Sequence, residues 1–326
     1  MAKKRILSGM RPTGKLHIGH YVGALENWVD LQDEYENFHL IADYHVLTTS
    51  LNTEDIYQNS IEMMIDWLST GLDPQKNLMF RQSQIKEHAE LHLILSMLIT
   101  VNRLERNPTL KDQVRDLNIE HIIYGHLGYP VLQTADILLY KGDLVPVGED
   151  QVPHVEISRE LARKFNNQYG VVFPEPEPKL SKFARLPGLD GDAKMSKSLG
   201  NTIFLSDEPD IVKAKLKKAV TDPEKVRKGD PGNPDICLIF AYHKKFNPGN
   251  IEEIDAGCRS GALGCFDCKM NCASKISSVL APIIERRKYY ENNISLIKDI
   301  LADGEQKAKK IAVATMHEVH EKMKLG

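Results

Sequence analysis

Long apolar runs are missing from this chain of 326 residues. None approaches the roughly 20 residues that a bilayer-spanning helix needs, so an integral membrane protein is not expected. The opening "MAKKRILSGM" has basic residues but no apolar stretch behind them, so no secretory leader is expected and the cytoplasm is the anticipated compartment. Repeats and low-complexity tracts are also lacking, which argues against a solenoid or a disordered tail. Net charge is small, −3, so the composition as a whole carries no sign of a polyanionic partner. Cysteine is scarce, five residues in all. In a reducing compartment so few thiols do not make a disulfide scaffold.

What is present is uneven. Four of the five cysteines fall in "CRSGALGCFDCKMNC" (258–272), and the fifth is Cys237. Clustered thiols in a cytosolic chain more often bind metal or do chemistry. Positive charge gathers late: residues 213–228 carry seven Lys/Arg against Asp222 and Glu224. Residues 259–326 carry twelve Lys/Arg and eight Asp/Glu. That is a weak polyanion footprint, and solvated helix faces account for it equally well.

The first half alternates strand and helix signals. "RILSG" (5–9), "NFHLIADYHVLTT" (37–49), "NLMFRQS" (77–83) and "DLVPVG" (143–148) read as strands. "HYVGALENWVDLQDEY" (20–35) and "TEDIYQNSIEMMIDWLSTG" (53–71), the latter with a Thr53 cap, read as helices. "EHAELHLILSMLIT" (87–100) turns apolar on every face from Leu93 to Ile99, which predicts a helix buried in the core or at a subunit interface. The alternation predicts a Rossmann-type, doubly wound parallel α/β sheet. "FPEPEPKLSKF" (173–183) reads as a proline-rich connector, after which strand signals fade. A boundary near 200 is expected, with a catalytic domain over 1–200 and an all-helical domain over 201–326.

Two motifs carry chemistry. In "SGMRPTGKLHIGHYVGAL" (8–25) a strand runs into a Gly/Pro turn and His17-Ile18-Gly19-His20 opens a helix. A helix start offers free backbone N–H groups and the positive dipole end to an anion, and Gly19 leaves room for a planar group. A capping turn with two surface histidines is the alternative. "KMSKS" (194–198) sits in the Gly/Asp-rich "GLDGDAKMSKSLGN", where Lys194 and Lys197 can close over a polyphosphate and offset charge as pyrophosphate leaves. A merely flexible basic loop is the alternative. Cys237, Cys258, Cys265 and Cys268 have the spacing C-x20-C-x6-C-x2-C, which suits a tetrathiolate site for zinc or an iron–sulfur cluster.

The paired motifs resemble those of the class I aminoacyl-tRNA synthetases, and the likeness runs over essentially the whole chain. "GEDQ" (148–151) and "YPVLQTADILLY" (129–140) are similar to the tryptophanyl branch of bacterial type. The resemblance implies activation of L-tryptophan by ATP with Mg²⁺, followed by transfer to tRNA(Trp), in a homodimer whose helical domain meets the anticodon. It implies that His17, His20, Lys194 and Lys197 are catalytic. It assigns Arg11, Pro12, Thr13, Gly19, His20, Gly148, Glu149, Asp150, Lys194, Met195, Ser196, Lys197 and Ser198 to ATP, with adenine against the backbone near Arg185 and Leu186. Leu7, Val145 and Val147 would wall the indole, and Tyr129, Gln133 and Gln151 would hold the amino acid. His45, at a strand end, is a further pocket residue. Asp136 would accept the indole N–H, which explains a carboxylate among apolar neighbours. The cysteine flanks "DPGNPDIC" and "GCFDCK" resemble the subset that carries a [4Fe-4S] cluster, with zinc as the alternative and Cys272 as a spare.

Overall fold

The computed structural model describes residues 3–116, 119–180, 186–191, 195–197, 199–227 and 229–325, with the side chains of Asp116 and Asp150 outside the description. Lys194, Ser198 and Arg185 therefore lie outside the described residues. Five parallel strands, β1 (Arg5–Met10), β2 (Glu36–Ile41), β3 (Asn77–Arg81), β4 (Leu144–Val147) and β5 (Glu177–Leu180), form one sheet in the order β3-β2-β1-β4-β5. The chain starts in the middle and builds outward on both sides. The direction of strand addition reverses between β1 and β4, where doubly wound sheets bind ligands at their strand C-terminal ends.

β1 to β4 form where the apolar, β-branched runs predict them. β5 does not: it lies inside the stretch read as a connector. Its sequence is EPKL and its one neighbour is β4, so Pro178 takes an edge position where no inner ladder needs its N–H. The 37–49 segment is also not all strand. β2 ends at Ile41, and Tyr44–Leu47 is a short helix capped by Asp43, so His45 stands on a helix and not at a strand end. The helix Ile56–Thr70 begins after Asp55, later than the Thr53 cap predicted, and Thr53 contributes only a backbone carbonyl to Ile56 N–H at 3.2 Å. The 87–100 segment is helical only over Glu87–Ser96, and Leu93 and Met97 are 56% and 71% exposed, so its apolar surface is not all core.

Beyond residue 200 the described residues add helices to the sheet but no strand. The long helices Cys265–Glu291 and Ile294–Met323 turn back onto the first half. One core joins Leu16, Trp28 and Trp67 to Ile276, Leu280 and Leu301 from these helices. The other joins Leu7, Phe38, Phe80 and Tyr140 to Ala312 and Met316. Gly304 marks the closest approach: a Cβ there would sit 1.9 Å from the Met79 carbonyl oxygen of β3. Among the described residues no helix is long and apolar enough to cross a membrane.

Candidate active site

A cavity of ≈ 1000 Å³ opens at the C-terminal ends of β1 and β4. It gathers residues scattered over nearly two hundred positions of sequence. Leu7, Val145, Val147, His45, Tyr129, Gln133, Asp136 and Gln151 all line it, as do Arg11, His17, Gly19, His20, Gly148, Glu149, Leu186 and Met195. Pro12, Thr13, Ser196 and Lys197 do not line it; they belong to the turn and loop beside it. The Asp150 side chain, Lys194 and Ser198 lie outside the description.

The first turn is held by backbone bonds to a single segment, residues 203–205, on either side of His17. Ile18 N–H donates to Ile203 O (2.9 Å), Leu205 N–H donates to Leu16 O (3.0 Å), and His17 pairs with Phe204 as an antiparallel bridge. The segment that follows the lysine loop is thus laid against the H-I-G-H turn. Lys197 Nζ donates to Thr13 O at 2.7 Å, closing the loop onto the Pro12-Thr13 turn. Burial lowers the Lys197 ammonium, and the Asp66 carboxylate works against that. The His17 and His20 rings stand 3.8 Å apart between centroids. A Cβ on Gly19 would fall 2.9 Å from His17 Nδ1 and 3.2 Å from Met195 Sδ, so the position admits only glycine without displacing both motifs. The helix then passes through a π-helical stretch, Tyr21–Leu25, whose Gly23 and Ala24 face the cavity.

Deeper in, Asp136 is buried on the helix Tyr124–Leu139. Neither a helix cap nor a surface acid, it is ringed by side-chain donors. Its Oδ2 meets His45 Nε2 at 2.8 Å, and its Oδ1 meets His88 Nδ1 and Gln82 Nε2, both at 2.7 Å. Gln82 is held in that orientation because its Oε1 accepts Tyr44 N–H (3.1 Å). His88 Nε2 faces Tyr140 OH at 2.8 Å. Burial alone would raise the Asp136 carboxyl, but His45 and His88 outweigh it and hold the group well below the usual carboxylate range. Burial pushes the Tyr140 phenol well up, so it stays a donor. Sequence reasoning missed Gln82 and His88. The available signal for His88 was its place in line with Leu91 and Leu95, three and seven residues on, along the buried face of its helix.

Tyr129 and Gln151 are joined by a third residue the sequence did not reveal. Tyr129 OH lies 2.5 Å from His154 Nε2, and His154 Nδ1 lies 3.1 Å from Gln151 Oε1. Burial raises the Tyr129 phenol, so it keeps its proton and donates to Nε2, and Nδ1 is left to donate to Gln151 Oε1. Burial lowers the Arg11 guanidinium, whose NH1 donates to Thr49 Oγ1 at 3.2 Å.

A second, small cavity of ≈ 20 Å³ is lined by Cys237, Cys258, Cys265 and Cys268, with Thr221, Ile239 and Leu263. All four predicted ligands therefore face one point in the fold. Burial, then the neighbouring thiols, push the Cys268 thiol up to about 12. Yet among the described residues no three His, Cys, Asp or Glu side chains stand as a ready ligand set for a single metal ion. Cys272 is fully buried in the first core and does not line this cavity.

A Rossmann-type sheet with the H-I-G-H turn set against Met195 and Lys197 of the lysine loop defines a class I synthetase. The family model described as tRNA synthetases class I (W and Y) matches residues 2–281, and the chain belongs to that family. Within it the similarity is to the tryptophan enzymes. The tryptophan–tRNA ligase of Thermotoga maritima is 47% identical over 98% of this chain and 99% of its own length. That of Aquifex aeolicus is 44% identical over 98% and 100%. The tryptophanyl-tRNA synthetase of Campylobacter jejuni, solved with ADP and tryptophan, superposes with a TM-score of 0.86 at 37% identity, covering 98% of this chain and all of that one.

Proposed function

We propose that the ≈ 1000 Å³ cavity is where this chain works as a tryptophan–tRNA ligase, activating L-tryptophan with ATP to tryptophanyl-AMP and pyrophosphate before passing tryptophan to tRNA(Trp). The observation that carries the site assignment is the convergence of the H-I-G-H turn, Met195 of the lysine loop and one buried, donor-ringed carboxylate on a single cavity. The tryptophan carboxylate attacks the α-phosphate in line and pyrophosphate leaves, so positioning and electrostatics supply the catalysis. His17, His20 and the 11–13 turn face the phosphates, and Lys194 and Lys197 offset the charge that grows on pyrophosphate. Gly148, Glu149 and Asp150 hold the ribose. Met195, Ser196 and Ser198 carry the loop. Mg²⁺ accompanies ATP through phosphate oxygens and supplies further neutralisation.

Leu7, Val145 and Val147 wall the indole. Asp136 Oδ2, with one donor against two on Oδ1, keeps a lone pair for the indole N–H. Tyr129 keeps its proton and donates it in a hydrogen bond to His154, which leaves the lone pairs of its oxygen to accept from the substrate ammonium, with Gln133 and Gln151 alongside. Tryptophan-dependent pyrophosphate exchange tests this reading; exchange with tyrosine in place of tryptophan would overturn it.

Four sulfurs facing one cavity, apolar walls and no competing carboxylate in the lining support a tetrathiolate group there. Cys237, Cys258, Cys265 and Cys268 hold a structural [4Fe-4S] cluster in this reading. Anaerobic protein with about four irons and four sulfides per chain, and broad near-visible absorption, is the expected result; zinc in place of iron would overturn it. Function divides near residue 200, with the anticodon meeting the helices beyond it. The exposed Leu93, Met97 and Tyr124 support a homodimer through this surface, checked by sedimentation of Met97→Glu. The working compartment is the cytoplasm.

A further inference from the structure

We propose that Asp66 and Arg287 are positioning residues for ATP, through which the helix Cys265–Glu291 fixes the turn that opens the H-I-G-H helix. Neither residue lines the cavity. Asp66 sits on the helix Ile56–Thr70 with its side chain 1% exposed, and Arg287 is 2% exposed. Asp66 Oδ2 accepts Leu16 N–H at 2.7 Å, one residue before His17. Asp66 Oδ1 accepts from Arg287 NH1, while Arg287 NH2 donates to Glu62 Oε2 at 2.5 Å and Nε lies 2.9 Å from Glu291 Oε1. The neighbouring Arg286 Nε donates to Ser69 O at 2.6 Å, a second strap between the same helices.

A buried ion pair is a poor way to join two helices. Its desolvation is costly, and well-packed apolar residues often do as well or better. An apolar pair cannot, however, accept the Leu16 N–H. That bond completes a clamp: residues 203–205 hold the turn on one flank, and Asp66 holds it on the other. Burial raises the Asp66 carboxyl to about 6 against the pull of Arg287 and Leu16 N–H, so the acid is ionised at neutral pH. Arg287, always charged and fork-shaped, is the partner that keeps it so. Small displacements of a phosphate-binding turn are costly in rate and affinity, because the turn's geometry is the catalyst.

The inference rests on assigning this turn to ATP, and its test separates the two claims. The double variant Asp66→Leu/Arg287→Met removes both charges together and is expected to unfold near the wild-type temperature. In tryptophan-dependent pyrophosphate exchange its KM for ATP should rise about tenfold while KM for tryptophan stays within about twofold. Arg287→Lys keeps the charge and loses the fork, and should raise KM for ATP about threefold. An unchanged KM for ATP in a folded variant, or equal rises for both substrates, would overturn the positioning role. If the double variant does not fold, Arg287→Lys decides in the same terms. Wild-type protein inactive with tryptophan would instead break the underlying assignment, and the proposal with it.

Discussion

Two aspartates are buried beneath this cavity, and they are supported in opposite ways. Asp136 meets three side-chain donors, His45, Gln82 and His88, and its carboxyl is held well below the usual range. Asp66 meets a full guanidinium and one backbone N–H, yet burial keeps its carboxyl raised to about 6. A guanidinium alongside therefore does not by itself give the lower carboxyl. What ranks them is the sum of hydrogen bonding and charge attraction set against the water each has lost, and His45 and His88 lower Asp136 by both routes. Arg287 also donates to Glu62 and pairs with Glu291, and the negative charge of Glu62 works against Asp66. Asp136 has no acidic neighbour among the causes of its shift.

The largest effect should come from breaking the well-supported member. Asp136→Ala removes the proposed indole acceptor and leaves His45, Gln82 and His88 facing a void. In pyrophosphate exchange, kcat/KM for tryptophan should fall by about 10³, on the order of 4 kcal/mol, with KM for ATP little changed. Thermal unfolding should fall with it, since stranded buried donors are costly. A variant that loses stability but discriminates tryptophan from an N-methyl indole analogue as before would show that Asp136 supports the pocket without reading the N–H.

A smaller effect should follow from thinning the support. His88→Phe keeps an aromatic ring but strips one donor from Asp136 Oδ1 and strands Tyr140 OH. KM for tryptophan should rise about tenfold with KM for ATP within about twofold, the reverse of the pattern expected at Arg287. If His88→Phe and Arg287→Lys shift the same substrate, the two carboxylates do not serve separate halves of the site.

The contrast also explains what the sequence could reveal. β1 to β4 were legible because apolar, β-branched runs write buried parallel strands directly. β5 was not, because a short edge strand paired on one side needs no such run. His45 was placed one element too early because an apolar stretch continues across the strand end at Ile41 into a helix. The cavity residues were found through motif resemblance, which names residues that touch substrate. Gln82, His88 and His154 touch those residues instead, and they come from elements that only the fold brings together. Asp66 in "MMIDWLS" looks like the polar face of an amphipathic helix until Arg287, over two hundred residues later, is laid against it.

The subtlest expectation is a pH slope of opposite sign for the two acids. Asp66 has a folded value near 6 against an ordinary 3.8, so the native state takes up its proton first. Its contribution to stability therefore rises as pH falls from about 6 toward 4, by about 1 kcal/mol between pH 7 and pH 5. Asp136 is depressed, so its contribution is complete above the ordinary carboxylate value and is lost only at lower pH. The background runs against Asp66: His39, stacked on Trp28 and bonded to Asn77 at 3.0 Å, is lowered by burial to about 4. Its unfolded form protonates near 6.5, so it removes about 2 kcal/mol over the same interval. Urea unfolding of wild type should thus show a net loss from pH 7 to pH 5. Asp66→Asn, lacking the compensating uptake, should lose about 1 kcal/mol more, and His39→Gln about 2 kcal/mol less. If Asp66→Asn loses no more than wild type, Arg287 holds the carboxylate ionised throughout the interval, and the two aspartates are alike after all.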